Sequence, residues 1–176
     1  MCVHEDHFAL GKTTNEEIIR AAILDLKEMN GIYLRLAEYL DVIGINEYYG
    51  WYDPDFEKLP ILLTNSNPGK PVLVCEFGGD ARLGQGGTTD ELWTENKQKR
   101  IYEQQVETFK KCPYITGTTP WILYDFRCPR RLNRHQDGFN RKGLIDSDRK
   151  TRKPAFCVMR EFYSWVKNNN NNFTQD

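Results

Sequence analysis

The middle of the chain reads Pro71-Val72-Leu73-Val74-Cys75-Glu76-Phe77-Gly78-Gly79. Its run of four apolar residues after the proline predicts a buried β-strand, and the glycines predict the end of that strand. One carboxylate, Glu76, stands at the junction between the two. Parallel α/β folds collect their functional groups at the carboxyl ends of the strands. The stretch therefore indicates both a fold class and a candidate functional residue.

Strands and helices alternate around this stretch. The unbroken apolar run in residues 41–46 predicts a strand buried on both faces, and residues 115–126 predict another, centred on residues 121–123. Helical spacing predicts helices that begin after Thr13-Thr14, cover residues 33–40 and about 96–111, and start at Pro154 with one apolar face formed by Ala155, Val158, Met159, Phe162 and Val166. The alternation indicates a parallel α/β domain.

Composition excludes several classes of function. The 176 residues hold 24 Lys and Arg against 25 Asp and Glu, so the net charge of −1 gives no general attraction to nucleic acid or acidic membranes. No window approaches the ~20 apolar residues of a membrane helix. Residues 1–7 lack the pattern of a signal peptide, and the five cysteines form no C-x-x-C pair. We expect a cytoplasmic protein with reduced thiols, no metal site, no membrane partner and no nucleic-acid partner.

Two segments carry groups suited to sugar chemistry. Glu76 is either a salt-bridged carboxylate at a strand end or a nucleophile, with Gly78 and Gly79 leaving room for a sugar. Residues 46–52, Asn-Glu-Tyr-Tyr-Gly-Trp-Tyr, follow the first predicted strand, and aromatic rings stack on pyranose C–H groups. The alternative for this segment is an aromatic corner of the core, and Trp121 reads as core in the same way.

Five stretches carry a resemblance to a known family. They are His4-Glu5-Asp6-His7, residues 41–52, residues 71–78, residues 120–127 and Asn140-Arg141-Lys142-Gly143-Leu144-Ile145. In this order they resemble glycoside hydrolase family 2, the family of β-galactosidases, β-glucuronidases and β-mannosidases, across residues 1–166. The resemblance implies a retaining β-glycosidase with a carbohydrate substrate and no cofactor.

The resemblance also implies roles for individual residues. Glu76 stands where the family has its nucleophile, at the end of the seventh strand of a (β/α)8 TIM barrel. The positions that match sugar-binding positions are Asn46, Tyr48 and Tyr52 after the sixth strand, Trp121 at the eighth, and the Asn140-x-Lys142 pair, which in glucuronidases holds the substrate carboxylate. His4, Glu5 and Asp6 match a motif at the first strand, and we expect His4 and Asp6 in the pocket.

The resemblance implies an incomplete barrel in this chain. Residues 1–166 match the first strand-helix unit and strands six to eight, with an apparent central deletion near 30–31, and the Asn-rich residues 167–176 are predicted to be disordered. The family's acid/base Glu follows an Asn at the fourth strand, which has no counterpart here. Asn46-Glu47 imitates that motif, but Glu47 precedes Glu76 by only one β-α step, so we assign Glu47 to the pocket without an acid/base role.

Three functions remain open at this point. The first is hydrolysis of terminal β-glycosides, with a β-galactoside as the default substrate and a β-glucuronide as the other choice. The second is a catalytically inactive fragment that binds sugar or serves in assembly. The third is polyanion binding by residues 127–153, which carry ten Lys or Arg against three Asp. Because half a barrel leaves unpaired strand edges, we also expect the chain by itself either to aggregate or to pair with a second copy.

Overall fold

The computed structural model of this chain describes residues 41–170. The helices predicted after Thr13-Thr14 and over residues 33–40, the apparent deletion near residues 30–31, and the candidates His4, Glu5 and Asp6 lie outside the described residues.

Three parallel strands form the sheet on which the candidate site is built. They are β1 (Ile43–Asn46), β2 (Val72–Glu76) and β3 (Ile115–Thr118), in the spatial order β1-β2-β3. The register aligns Ile43 with Val72, and Val72 with Ile115. The strands predicted within residues 41–46 and 71–76 are confirmed, as is their parallel pairing. All three carboxyl ends therefore lie at one edge of the sheet.

The third strand is much shorter than the sequence predicted. The ladder ends after β3, where the Thr119 amide still donates to the Val74 carbonyl at 2.8 Å, because Pro120 has no amide hydrogen to continue it. The predicted strand centre at residues 121–123 is wrong. That segment bonds instead to residues 142–145, for example from the Leu144 amide to the Ile122 carbonyl at 2.9 Å. A small antiparallel hairpin follows, formed by β4 (Phe126–Arg127) and β5 (Phe139–Asn140).

Three helices complete the described fold: α1 (Lys58–Ser66), α2 (Glu95–Lys111) and α3 (Pro154–Asn170). At the start of α2 the Thr94 hydroxyl accepts a hydrogen bond from the Lys97 amide at 3.0 Å, a side-chain cap. The predictions for α2 and for the Pro154 start of α3 are confirmed. Helix α1 was not predicted from the sequence, because Pro54 and residues 65–69, Asn-Ser-Asn-Pro-Gly, indicated loops.

The end of α3 also differs from expectation. Residues 167–176 were predicted to be disordered, but α3 continues to Asn170, so the first four of them are helical. The Asn169 side chain donates to the Trp165 carbonyl at 2.8 Å, which supports the last turn. Residues 171–176 lie outside the described part of the chain.

The core lies on one side of the sheet only. Val72 and Val74 of β2 are fully buried on this side. Three buried aromatic rings lie between the sheet, α2 and α3: Phe109 contacts Phe77 on one side and Phe162 on the other.

The opposite face of the sheet is open: Leu73 is 39% exposed and Cys75 is exposed. The expectation of strands buried on both faces is therefore not met within residues 41–170, because none of the described helices covers this side. Parallel sheets are normally covered on both faces. None of the helices within this range is long and apolar enough to span a membrane.

Candidate active site

Glu76 and Tyr48 meet at the carboxyl edge of the sheet. Glu76 ends β2 and is 9% exposed. The buried Tyr48, two residues beyond β1, donates its hydroxyl hydrogen to Glu76 Oε2 at 2.8 Å. Burial, followed by this hydrogen bond to Glu76, raises the pKa of Tyr48 well above its ordinary value. Tyr48 is thus a neutral donor that fixes the orientation of the Glu76 carboxylate.

The glycines after Glu76 make room for α2. Gly78 has φ +125°, and a Cβ there would lie 2.3 Å from the Tyr102 hydroxyl of α2. A Cβ on Gly79 would lie 2.8 Å from Ile101, also on α2. The expectation that these glycines clear space for a sugar is therefore corrected. They allow the loop that follows Glu76 to lie directly on the helix, where Gln98 Nε2 donates to the Gly79 carbonyl at 2.9 Å.

Glu47 is directed toward α2. It is 6% exposed, and its Oε2 accepts hydrogen bonds from the Tyr49 amide at 2.9 Å and from Gln105 Nε2 of α2 at 3.3 Å. Its Oε1 has no hydrogen-bond partner within the described part of the chain. Burial raises the pKa of Glu47 from 4.5 to about 8, against the opposing effect of the two hydrogen bonds. At neutral pH Glu47 is therefore mostly protonated and packed under the site.

Lys142 is held in a cage of aromatic rings. It is 2% exposed on its side chain and forms an ion pair with Asp80. Its ammonium also donates to the Tyr52 hydroxyl at 3.3 Å. The ring centroids of Tyr48, Trp51 and Tyr52 lie 5.4, 5.0 and 5.0 Å from Nζ, which stabilises the charge by cation–π interaction. The structure thus brings together Lys142, Tyr48 and Tyr52, three of the residues singled out by the sequence.

The remaining candidates lie around this group. Asn46 is aligned with Glu76 across the β1–β2 ladder. Asn140 ends β5 and accepts a hydrogen bond from the Lys142 amide through its side-chain oxygen at 3.0 Å, which shapes the turn that carries Lys142. Trp121 is half-buried, its amide donates to the Phe77 carbonyl at 2.9 Å, and its ring meets Phe126 edge-on at 6.2 Å.

Asp80 is the residue of this region that the sequence analysis missed. It is 1% exposed and accepts hydrogen bonds from Lys142 Nζ and, at 3.1 Å, from the Arg141 amide. A carboxylate four residues after Glu76, in the same strand-end loop, was the available signal. Its partner lies 62 residues away, so only the fold reveals the pair.

Three of the ten Lys and Arg side chains in the basic segment 127–153 do not face solvent. Arg141, Lys142 and Lys153 are buried in ion pairs with Asp80 and Asp125. Six of the others are exposed: Arg127, Arg130, Arg134, Arg149, Lys150 and Arg152. The polyanion hypothesis therefore stays a prediction for this segment. Among residues 41–170, no group of three or more His, Cys, Asp or Glu side chains is arranged to hold a metal ion.

Comparison with known proteins gives a consistent result. Residues 27–168 match the model of the family described as "Glycosyl hydrolases family 2, TIM barrel domain". A β-glucuronidase from Paenibacillus borealis is 30% identical over 129 residues, which cover 69% of this chain and 21% of that protein. The mouse β-glucuronidase is 29% identical over 146 residues, 75% of this chain and 22% of that protein.

A solved structure shares the fold. The β-glucuronidase of Bifidobacterium dentium, complexed with coumarin-3-O-glucuronide, superposes with a TM-score of 0.61 and 31% identity over 70% of this chain and 21% of that one. The chain spans about a fifth of the length of the curated relatives it matches.

Proposed function

The chain belongs to glycoside hydrolase family 2, and from this we propose that it carries the nucleophile half of a site that hydrolyses terminal β-glycosides. The observation that carries the proposal is Glu76: a carboxylate at the carboxyl end of a parallel strand, nearly buried, and oriented by the Tyr48 hydroxyl.

The proposed mechanism is retaining. Glu76 attacks the anomeric carbon, the bond from that carbon to the leaving oxygen breaks, and water later releases the sugar from Glu76. Such a mechanism needs a second carboxyl group ≈ 5–5.5 Å from the first to protonate the leaving oxygen. Glu47 hydrogen-bonds to α2 instead. We therefore assign the acid to a part of the protein outside residues 41–170.

The sugar we propose is a β-glucuronide. An ammonium has three N–H donors, and within the described residues Asp80 and Tyr52 accept two from Lys142. One donor therefore remains for a sugar carboxylate, next to the turn shaped by Asn140. The relatives named above are β-glucuronidases. A β-galactoside, the default from sequence, stays as the alternative, because Lys142 could equally donate to a neutral hydroxyl.

The same proposal assigns the three strands of the sheet to positions in a barrel. We take β1, β2 and β3 as the sixth, seventh and eighth strands of a TIM barrel, since their order, direction and helix-covered face match those of consecutive barrel strands. The open face of the sheet, with Leu73 and Cys75, then corresponds to the barrel interior.

A second candidate is a sugar-binding or assembly unit without catalysis. It is the function to expect if no acid is supplied to Glu76, because Glu47, the carboxylate that follows an Asn at the end of β1, hydrogen-bonds to α2.

An aryl β-glucuronide with a good leaving group separates the two candidates, since its cleavage needs little acid assistance. The proposal expects slow hydrolysis that Glu76→Gln abolishes, and that Glu161→Gln, an exposed α3 carboxylate as a matched control, leaves unchanged. Equal rates for the Glu76 variant and wild type would refute the nucleophile. Binding of glucuronate without any hydrolysis would favour the second candidate.

A further inference from the structure

Lys153 places a charged atom in the interior of the fold. It directly precedes Pro154 at the start of α3, and it is fully buried. A buried ammonium is costly unless every N–H is hydrogen-bonded and its charge is balanced. Burial lowers the pKa of Lys153, and burial likewise raises the pKa of its partner Asp125 to about 6. Each ion therefore depends on the other.

Three separate segments meet at the Lys153 ammonium. Its Nζ donates to the Ala81 carbonyl at 2.7 Å, to the Arg141 carbonyl at 3.0 Å, and to Asp125 Oδ1 and Oδ2 at 2.7 and 3.0 Å. Three partners for three N–H bonds leave the group satisfied. Ala81 belongs to the loop after β2, Arg141 to the turn after β5, and Asp125 to the segment after β3.

Two of these segments carry the other buried ion pair. Ala81 is the neighbour of Asp80, and Arg141 is the neighbour of Lys142. The segments are also joined by a hydrogen bond from the Ala81 amide to the Arg141 carbonyl at 3.0 Å.

Asp125 adds a further link to the same turn. Its Oδ1 accepts a hydrogen bond from the Gly143 amide at 2.8 Å. A Cβ on Gly143 would lie 2.2 Å from the Asp125 amide nitrogen, so the two chains touch. Arg141 and Gly143, the two neighbours of Lys142, are therefore both bound to the Asp125–Lys153 pair.

We propose that Lys153 and Asp125 are a positioning pair, which holds the loop of Asp80 and the turn of Lys142 in register and so fixes the Lys142 ammonium relative to Glu76. The pair touches neither Glu76 nor the aromatic cage in the described structure. Its effect on sugar binding, as distinct from its effect on the two loops, rests on the function proposed above.

Amide hydrogen exchange tests the positioning without any sugar. In Lys153→Met, the amides of Ala81, Arg141 and Gly143 should exchange at least about tenfold faster, while the buried α2 amides stay protected. Lys150→Met, at an exposed lysine in the turn that precedes Lys153, is the matched control and should change none of them. Unchanged exchange at all three amides in Lys153→Met would overturn the proposal.

The double variant Asp125→Asn with Lys153→Met distinguishes loss of positioning from general unfolding. It leaves no buried charge unpaired, because Arg141, which also pairs with Asp125, keeps its ion pair with Asp146. The Asn oxygen can still accept from the Gly143 amide. The proposal expects the Ala81 and Arg141 amides to exchange faster here too, with α2 protected. Equal acceleration of all amides, including those of α2, would show that the pair only holds the fold together and would contradict a positioning role.

Titration with sodium glucuronate and with glucose, followed by NMR, tests the consequence for the site. In the double variant the dissociation constant for glucuronate should rise about tenfold or more, and that for glucose by less than about twofold, because only glucuronate presents a carboxylate to the Lys142 ammonium. Equal weakening for both sugars contradicts the consequence. If the wild-type chain binds neither sugar, the proposed function fails, while the exchange result still decides whether the pair positions the loops.

Discussion

Glu47→Gln tests whether the Glu47 carboxyl group is buried against α2 and away from solvent. Glu47 is 6% exposed, and burial raises its pKa from 4.5 to about 8. The folded state therefore keeps a proton that the unfolded chain has lost, and ionisation opposes folding. Below about pH 4.5 Glu47 is protonated in both states and does not lower stability. As the pH rises from about 4.5 to about 8, only the unfolded chain loses the proton, and the free energy of unfolding falls.

The size of the effect follows from the shift. Each pH unit inside this window lowers the free energy of unfolding by about 1.4 kcal/mol, which amounts to about 5 kcal/mol at most across the window. Gln has the same shape, does not ionise, and still accepts the hydrogen bonds from Tyr49 and Gln105. Glu47→Gln should therefore match wild type near the acid end of the window and become the more stable protein near neutral pH.

Urea unfolding at a series of pH values measures this difference. Asp125, whose pKa burial also raises, titrates in both proteins, so it cancels when the two free energies are subtracted. Glu161→Gln, at an exposed position, should follow wild type at every pH. Parallel profiles for wild type and Glu47→Gln would refute the reasoning, because they would mean that Glu47 is hydrated and available as an acid in the folded state.

Three further predictions use other parts of the structure. In an active parent protein, Lys142→Ala should reduce kcat/KM for an aryl β-glucuronide by about tenfold or more relative to an aryl β-galactoside, because only the glucuronide leaves a carboxylate unpaired; equal losses would make Lys142 structural. Phe109→Ala should lower the free energy of unfolding by about 3–5 kcal/mol in urea titrations, since Phe109 is 4% exposed between Phe77 and Phe162; a loss under about 1 kcal/mol would contradict this packing. Light scattering of the isolated chain should show dimers or larger assemblies that cover the open sheet face around Leu73, and a stable monomer with protected amides would contradict it.

Sequence patterns predicted the helices and strands that are determined by residues close together in the chain. Helix α2 was identifiable from the spacing of Tyr102, Val106 and Phe109, and all three are buried. The start of α3 followed from Pro154, whose missing amide hydrogen is not needed in a first turn. Strands β1 and β2 followed from their apolar runs, and the position of Glu76 at a strand end followed from the glycines after it.

Features that depend on distant partners were not predictable. The segment at Trp121 was read as a strand because it is apolar, yet it pairs with residues 142–145, and nothing local specifies that partner. The ion pairs of Asp80 with Lys142 and of Asp125 with Lys153 join positions 62 and 28 residues apart, so the basic segment looked solvated in the sequence. The same limit applies to Glu47, whose direction depends on Gln105 of α2.

The central claim, that Glu76 is the nucleophile, is tested most directly by covalent labelling. A fluoro-glycoside with an activated leaving group traps the glycosyl-enzyme, and peptide mass spectrometry locates the sugar. The account predicts one labelled residue, Glu76, in the active protein or its longer parent, and no label in Glu76→Gln. Label on Glu47, or undiminished labelling of the Glu76→Gln variant, would contradict it.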